Sequence, residues 1–166
     1  FMKKSIILLI IVLSFSLIGC SKTEVTDSEN EIEVLIGYIV IEDNNLYFDQ
    51  VEIVKIEDKK RMEELDLDES DMPNGYVIIN ENQEKITYEL ADKVDYKFTD
   101  INLNFIEESE AEGDRIYITT KKDEFFKHLG EYNLNNIPLS EQTIPYFIKV
   151  QDGKVIGIEE KFKYTI

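Results

Sequence analysis

Tryptophan is absent from the 166 residues, cysteine and histidine occur once each, and there are only three prolines and seven glycines. Each scarcity closes a route. A lone cysteine, Cys20, allows no intramolecular disulfide and no redox pair, so an exported domain built from this chain must rely on a packed core. A lone histidine, His128, is a general base only if a partner and a substrate cleft adjoin it, and a metal site needs several converging ligands. No Gly-x-Ser-x-Gly, His-Glu-x-x-His, Gly-x-Gly-x-x-Gly or P-loop sequence occurs, so the signatures of the common hydrolases and nucleotide-binding proteins are missing. Positive charge is scarce too, with 18 Lys+Arg against 35 Asp+Glu and a net charge of −17. A field of that sign argues against nucleic acid and against electrostatic adhesion to anionic lipid, and leaves cationic partners, metal cations or plain solubility.

What is present begins with an address. Lys3 and Lys4 precede an apolar run from Ser5 to Ile18, about 14 residues against the roughly 20 that a membrane-spanning helix needs. Phe1 fits no part of this pattern, and Met2 reads as the start. Leu17-Ile18-Gly19-Cys20 closes the run with a small residue directly before the cysteine, and resembles the lipobox of bacterial lipoprotein signals. The resemblance implies a signal peptide over 1–19, a diacylglyceryl thioether on Cys20, and cleavage that leaves Cys20 as the new N-terminus. Two acyl chains meet the requirement for stable anchoring, since each buried methylene contributes roughly 0.8 kcal/mol. Removing residues 1–19 takes away two lysines and no acid, which makes the exported part more acidic still.

Residues 20–33 hold the anchor and a polar, aperiodic acidic tether, and 34–166 are expected to form one β-rich extracytoplasmic domain. Val34 to Ile41 is apolar on both parities, as a doubly buried strand would be, with Gly37 marking a bend or close backbone approach. A second strand is expected over Leu46 to Ile56, with a bulge near Asp49-Gln50 that puts Leu46, Phe48, Val51 and Ile53 on one face. Asp58 caps an expected helix over Lys59 to Leu65, and Met72-Pro73-Asn74-Gly75 is a tight turn. Strands follow over Tyr76 to Asn80, Ile86 to Leu90 and Val94 to Phe98, the last two interrupted at Ala91-Asp92-Lys93. Asp100 to Arg115 carries no assignable pattern. After a short strand at Ile116 to Thr119, Thr120 and Asp123 resemble a capping box for a helix Lys121 to Leu129, closed by Gly130. Tyr132 to Gln142 reads as a loop. Strands Thr143 to Val150 and Lys154 to Thr165 end the chain around an Asp152-Gly153 turn, with Ile156, Ile158, Phe162, Tyr164 and Ile166 on the core face. Such a string predicts a mainly β fold, a small partly open antiparallel barrel of OB-like or SH3-like type with two short helices, or else a helix-covered α+β sheet.

Two acidic stretches invite a metal reading. Asp66, Asp68, Ser70 and Asp71 place oxygens on alternate residues, as the start of a calcium loop does, but the EF-hand positions for Gly and Glu hold Asp71 and Val77. An irregular Ca²⁺ site remains the one cofactor suggested. Carboxylates are too numerous for sequence to single out an acid/base pair. Tyr38, Tyr47, Tyr88 and Tyr96 fall on strands, where core or rim packing is expected rather than base stacking, because stacking platforms work beside basic grooves. His128 is expected at the surface or half buried beside Phe125 and Glu124.

The Gly-Tyr-containing first hairpin, Asp71-Met72-Pro73-Asn74-Gly75-Tyr76, Ile86-Thr87-Tyr88-Glu89-Leu90, Ile144-Pro145-Tyr146-Phe147 and Asp152-Gly153-Lys154-Val155-Ile156 resemble a group of small lipoproteins of Gram-positive bacteria. The resemblance implies location and architecture and no activity. The reading is therefore a lipid-anchored, non-enzymatic binding module of the cell envelope, with an envelope protein, peptide or glycan as partner. A Ca²⁺-dependent module and an enzyme with an unrecognised carboxylate site are the alternatives.

Overall fold

In the computed structural model the described residues are 31–161, apart from Gln83, Ala111 and Tyr132. Leu17, Ile18, Gly19, Cys20, most of the tether, and the expected core positions Phe162, Tyr164 and Ile166 lie outside them. Eight strands run in chain order: β1 (Glu33–Glu42), β2 (Asn45–Gln50), β3 (Glu52–Lys55), β4 (Tyr76–Ile79), β5 (Lys85–Thr99), β6 (Ile116–Thr119), β7 (Tyr146–Gln151) and β8 (Lys154–Glu160). Helix α1 (Lys59–Glu64) joins β3 to β4, and α2 (Lys122–Glu131) lies between β6 and β7. Among the described residues no helix is long and apolar enough to cross a membrane.

Pairing runs β2-β1-β7-β8-β5, and β5 returns to β2, so five strands close a barrel with β6 added outside on β5. The expected small barrel with two short helices is thus present, closed rather than partly open, and with one parallel pair, β5 with β8, among antiparallel neighbours. Counting barrel strands along the chain, the order around the ring is 1-2-3-5-4, with α2 between the third and fourth; that is the OB arrangement. Closure depends on β5. Its first half pairs with β2 and its second half with β6, while Leu90 and Asp95 face Val155 and Gly157 on β8, five steps against two. Ala91-Asp92-Lys93 is therefore a bend inside one long strand and not a break between two. The even-numbered residues Leu90, Val94, Tyr96 and Phe98 stay buried through it.

The interior is filled by alternate residues: Ile39 and Ile41 from β1, Leu46 and Phe48 from β2, Ile148 and Val150 from β7, with Phe125 and Leu129 of α2 packed on them. Gly37 is required by that packing, because a Cβ there would lie 2.2 Å from the Asp49 carbonyl oxygen and 2.7 Å from the Phe48 ring. The Asp152-Gly153 turn forms as its residues dictate, both with positive φ (51° and 76°).

Four local expectations change. β2 and β3 are separate strands: the chain leaves the barrel at Val51, and Val54 rather than Ile53 joins a second small core with Met62 and Met72. The threonine at the start of α2 is Thr119, whose hydroxyl accepts from the Lys121 N–H at 3.1 Å and donates to Glu124 at 2.6 Å. Helix α2 runs through Gly130, and the left-handed residue after it is Asn133. In β8 an extra residue opposite Lys149 and Val150 shifts the parity, so Val155 and Ile158 are core while Ile156 is half-buried. Glu160, which shares the parity of Ile158, and Lys161 after it are buried as well.

Candidate functional site

Leu46 and Phe48 point into the barrel, so Tyr47 and Asp49 project from its outer wall, flanked in register by Val40 and Tyr38 on β1 and by Thr87 and Lys85 on β5. A bare barrel wall is convex. Here the segment 135–140 folds over it and leaves a cleft of about 470 Å³, lined by Val40, Glu42, Asp49 and Lys85 on the barrel side and by Ile137, Pro138 and Ser140 on the other. A smaller cleft of about 260 Å³ adjoins Gln50, Val51 and Ile79, where the β3–β4 hairpin leaves the wall.

Asp49 is the unusual member. It is only 3% exposed. Its Oδ2 accepts a hydrogen bond from Asn80 Nδ2 at 2.9 Å, whereas its Oδ1 and the Asn80 Oδ1 are both buried and without hydrogen-bond partners. The Asn80 amide orientation is fixed by chemistry, since a carboxylate only accepts. Lys85, opposite Asp49 in the ladder, holds its ammonium 3.9 Å from the centre of the Tyr47 ring. Burial, and then the Asp49 carboxylate, push the Tyr38 hydroxyl above its ordinary pKa.

A second polar group lies beneath α2. His128 is fully buried, not half-exposed: α2 packs through Phe125, His128 and Leu129, and the imidazole stacks on Phe98 with ring centres 4.2 Å apart. Its Nε2 is 3.3 Å from the Tyr146 hydroxyl and 3.8 Å from Glu160 Oε2. Burial pulls its pKa down to about 4, against a weaker opposing pull from Asp100. Burial pushes the Glu160 carboxyl up although it accepts the Thr99 N–H. Asp100 organises the unassigned stretch after β5: its carboxylate accepts the N–H groups of Asn104, Phe105 and Ile106. Burial raises its pKa, but those three bonds outweigh it and the net direction is down. Phe105 is thereby seated against Phe98 and Tyr117. The role of this group is to hold α2 and the loop to the barrel.

The residues singled out as a calcium loop, Asp66, Asp68, Ser70 and Asp71, are exposed. Asp68 accepts the Ser70 N–H and Asp71 accepts the Asp68 N–H, a reciprocal cap on one turn of 3₁₀ helix. Among the described residues no group of three or more His, Cys, Asp or Glu side chains is placed to hold a metal. Of the four tyrosines, Tyr38 and Tyr96 are buried, Tyr88 edges against Phe48, and only Tyr47 borders the cleft region at half exposure. Sequence reasoning passed over Asp49 because alternation placed it among solvent-facing residues, and nothing nearby in the chain announces the segment that covers it.

No protein-family model, no curated protein and no solved structure matches this chain.

Proposed function

We propose that the protein is a lipid-anchored, extracytoplasmic binding module of the cell envelope, attached through Cys20 and non-enzymatic. The lipobox-like Leu17-Ile18-Gly19-Cys20 supports the location. The observation that carries the binding role is the cleft on the outer wall of β1, β2 and β5, made concave by residues 135–140 and walled by a buried carboxylate. The sole histidine supports a non-catalytic reading, because it lies sealed under α2 and far from being a base that a substrate reaches. The acidity of the chain favours a peptide, glycan or envelope protein over a nucleic acid.

Intact-mass spectrometry of the protein recovered from membranes, beside a Cys20→Ala variant, tests the reading. A diacylglyceryl adduct on a chain starting at Cys20, and its loss with an uncleaved or released variant, is the expected result. An unmodified Cys20 in a soluble chain would overturn it.

A further inference from the structure

We propose that Asp49, held by the Asn80 amide, forms a subsite for an organic cation bearing N–H donors, the ammonium or guanidinium group of a basic peptide side chain, entering from the 470 Å³ cleft that Asp49 lines. The inference rests on that cleft being the binding surface and names what it selects.

Buried polar atoms in folded proteins nearly always have partners, and an exception in a carboxylate is costly unless something supplies the missing donor. Here two such oxygens, Asp49 Oδ1 and Asn80 Oδ1, belong to side chains already joined to each other by a 2.9 Å hydrogen bond. Both can only accept, so whatever satisfies them must donate. A hydroxyl offers one hydrogen, whereas an ammonium offers three and a guanidinium five. The carboxylate adds a charge-assisted bond in a water-poor setting, which favours a cation over a neutral amide. Glu42 at the cleft rim adds a second negative charge. The one cation built into the wall, Lys85, lies over the Tyr47 ring and makes no ion pair with Asp49 within 4.0 Å, so it does not fill the role. A metal ion is disfavoured, because one carboxylate and one amide oxygen fall well short of the six to eight oxygens that calcium takes.

The test uses the full chain in nonionic detergent, ¹⁵N-labelled, titrated with acetyl-Gly-Gly-Lys-Gly-Gly-amide, with the same peptide carrying norleucine for lysine, and with CaCl₂. The lysine peptide is expected to shift the amide of Asp49 and the side-chain amide of Asn80, with affinity falling about tenfold or more in Asp49→Asn, the loss expected for one charge-assisted bond. The norleucine peptide should leave those signals in place. Ser140→Trp, which narrows the cleft without touching Asp49, is expected to weaken binding as well and stands in if Asp49→Asn fails to fold. If both peptides shift the cleft equally and Asp49→Asn binds as tightly, the cleft is a binding surface and the cation inference fails. If neither moves any cleft residue, the cleft reading fails with it. Shifts spread over the acidic surface that survive Asp49→Asn, or shifts of Asp49 and Asn80 by CaCl₂ alone, also overturn the subsite.

Discussion

Gln142 is the residue on which barrel closure can be tested most directly. β7 pairs with β1 only as far as Tyr146 opposite Gly37, which leaves the next inward-facing backbone groups of β1, at Ile39, without a strand neighbour. The buried Gln142 side chain takes the strand's place: its Oε1 accepts from the Ile39 N–H at 3.3 Å, and its Nε2 donates to the Ile39 carbonyl at 2.9 Å. The same Nε2 reaches the carbonyls of Leu134 and Ile137, so one amide ties β1 to the segment that walls the cleft. Gln142→Leu keeps the volume and removes every one of these bonds. Leaving a buried backbone donor and acceptor unmatched costs about 1–3 kcal/mol each. The added apolar burial returns on the order of 1 kcal/mol, so the net loss should be about 1–5 kcal/mol from a total of roughly 5–15. With no tryptophan in the chain, urea unfolding is best followed by far-UV circular dichroism, and hydrogen exchange at the Ile39 amide reports the local opening. A loss below about 1 kcal/mol, with the Ile39 amide still protected, would refute the idea that a side chain completes this edge.

Gly37→Ala must move backbone rather than a side chain, because its Cβ would meet the Asp49 carbonyl at 2.2 Å; a loss of about 3 kcal/mol is expected by urea unfolding, and an unchanged midpoint would contradict the contact. His128 has its folded pKa pulled down to about 4 from 6.5, so the stability that it contributes is full above pH 6.5 and is lost as pH falls toward 4, about 3 kcal/mol in all; His128→Phe should flatten that limb of the stability profile. Glu160 has the opposite sign, since a raised folded pKa gives stability at low pH that is lost as pH rises above about 4.5. Glu160→Gln should therefore gain stability at pH 7 that fades toward pH 4, and a pH-independent difference would refute the assignment. Millimolar Ca²⁺ should leave the melting temperature unchanged, because Asp68 and Asp71 are engaged in capping; a rise abolished by Asp66→Asn with Asp68→Asn would restore the loop as a site.

What could be read from sequence was local. Asp152-Gly153 specifies its turn, Asp58 caps α1 by accepting the Arg61 N–H, and the alternation of β5 marks its buried face. Misreadings arose where distant chain decides the outcome. The charged Asp92-Lys93 pair looked like a turn, yet the same strand is held on both sides of it by β2 and β8. The spacing of Phe125 and Leu129 marks an apolar face of α2, whereas the burial of His128 depends on Tyr146 and Glu160, which arrive beneath it from β7 and β8. Asp49 alternates with Leu46 and Phe48 like any exposed acid, and its burial comes from Asn80 and from residues 135–140, both far along the chain.

The two departures from a plain barrel meet at that carboxylate. One is the β3–α1–β4 excursion between β2 and β5, with its own small core of Val54, Met62 and Met72; the other is the stretch between α2 and β7. The excursion touches the barrel where Asn80 donates to Asp49 and where the Lys161 ammonium lies 4.2 Å from the centre of the Tyr76 ring. The second stretch is fixed by Gln142. The five strands of the ring are joined by their own ladders, and of the two attachments only Gln142 also serves the ring, by completing the edge of β1 at Ile39. Both are needed to make its wall concave, and a concave wall with unmatched acceptors is what a ligand can use and a core cannot. Ser140 lines the cleft from the covering segment and takes no part in the ladders of the ring, so changes there should alter recognition before they alter stability.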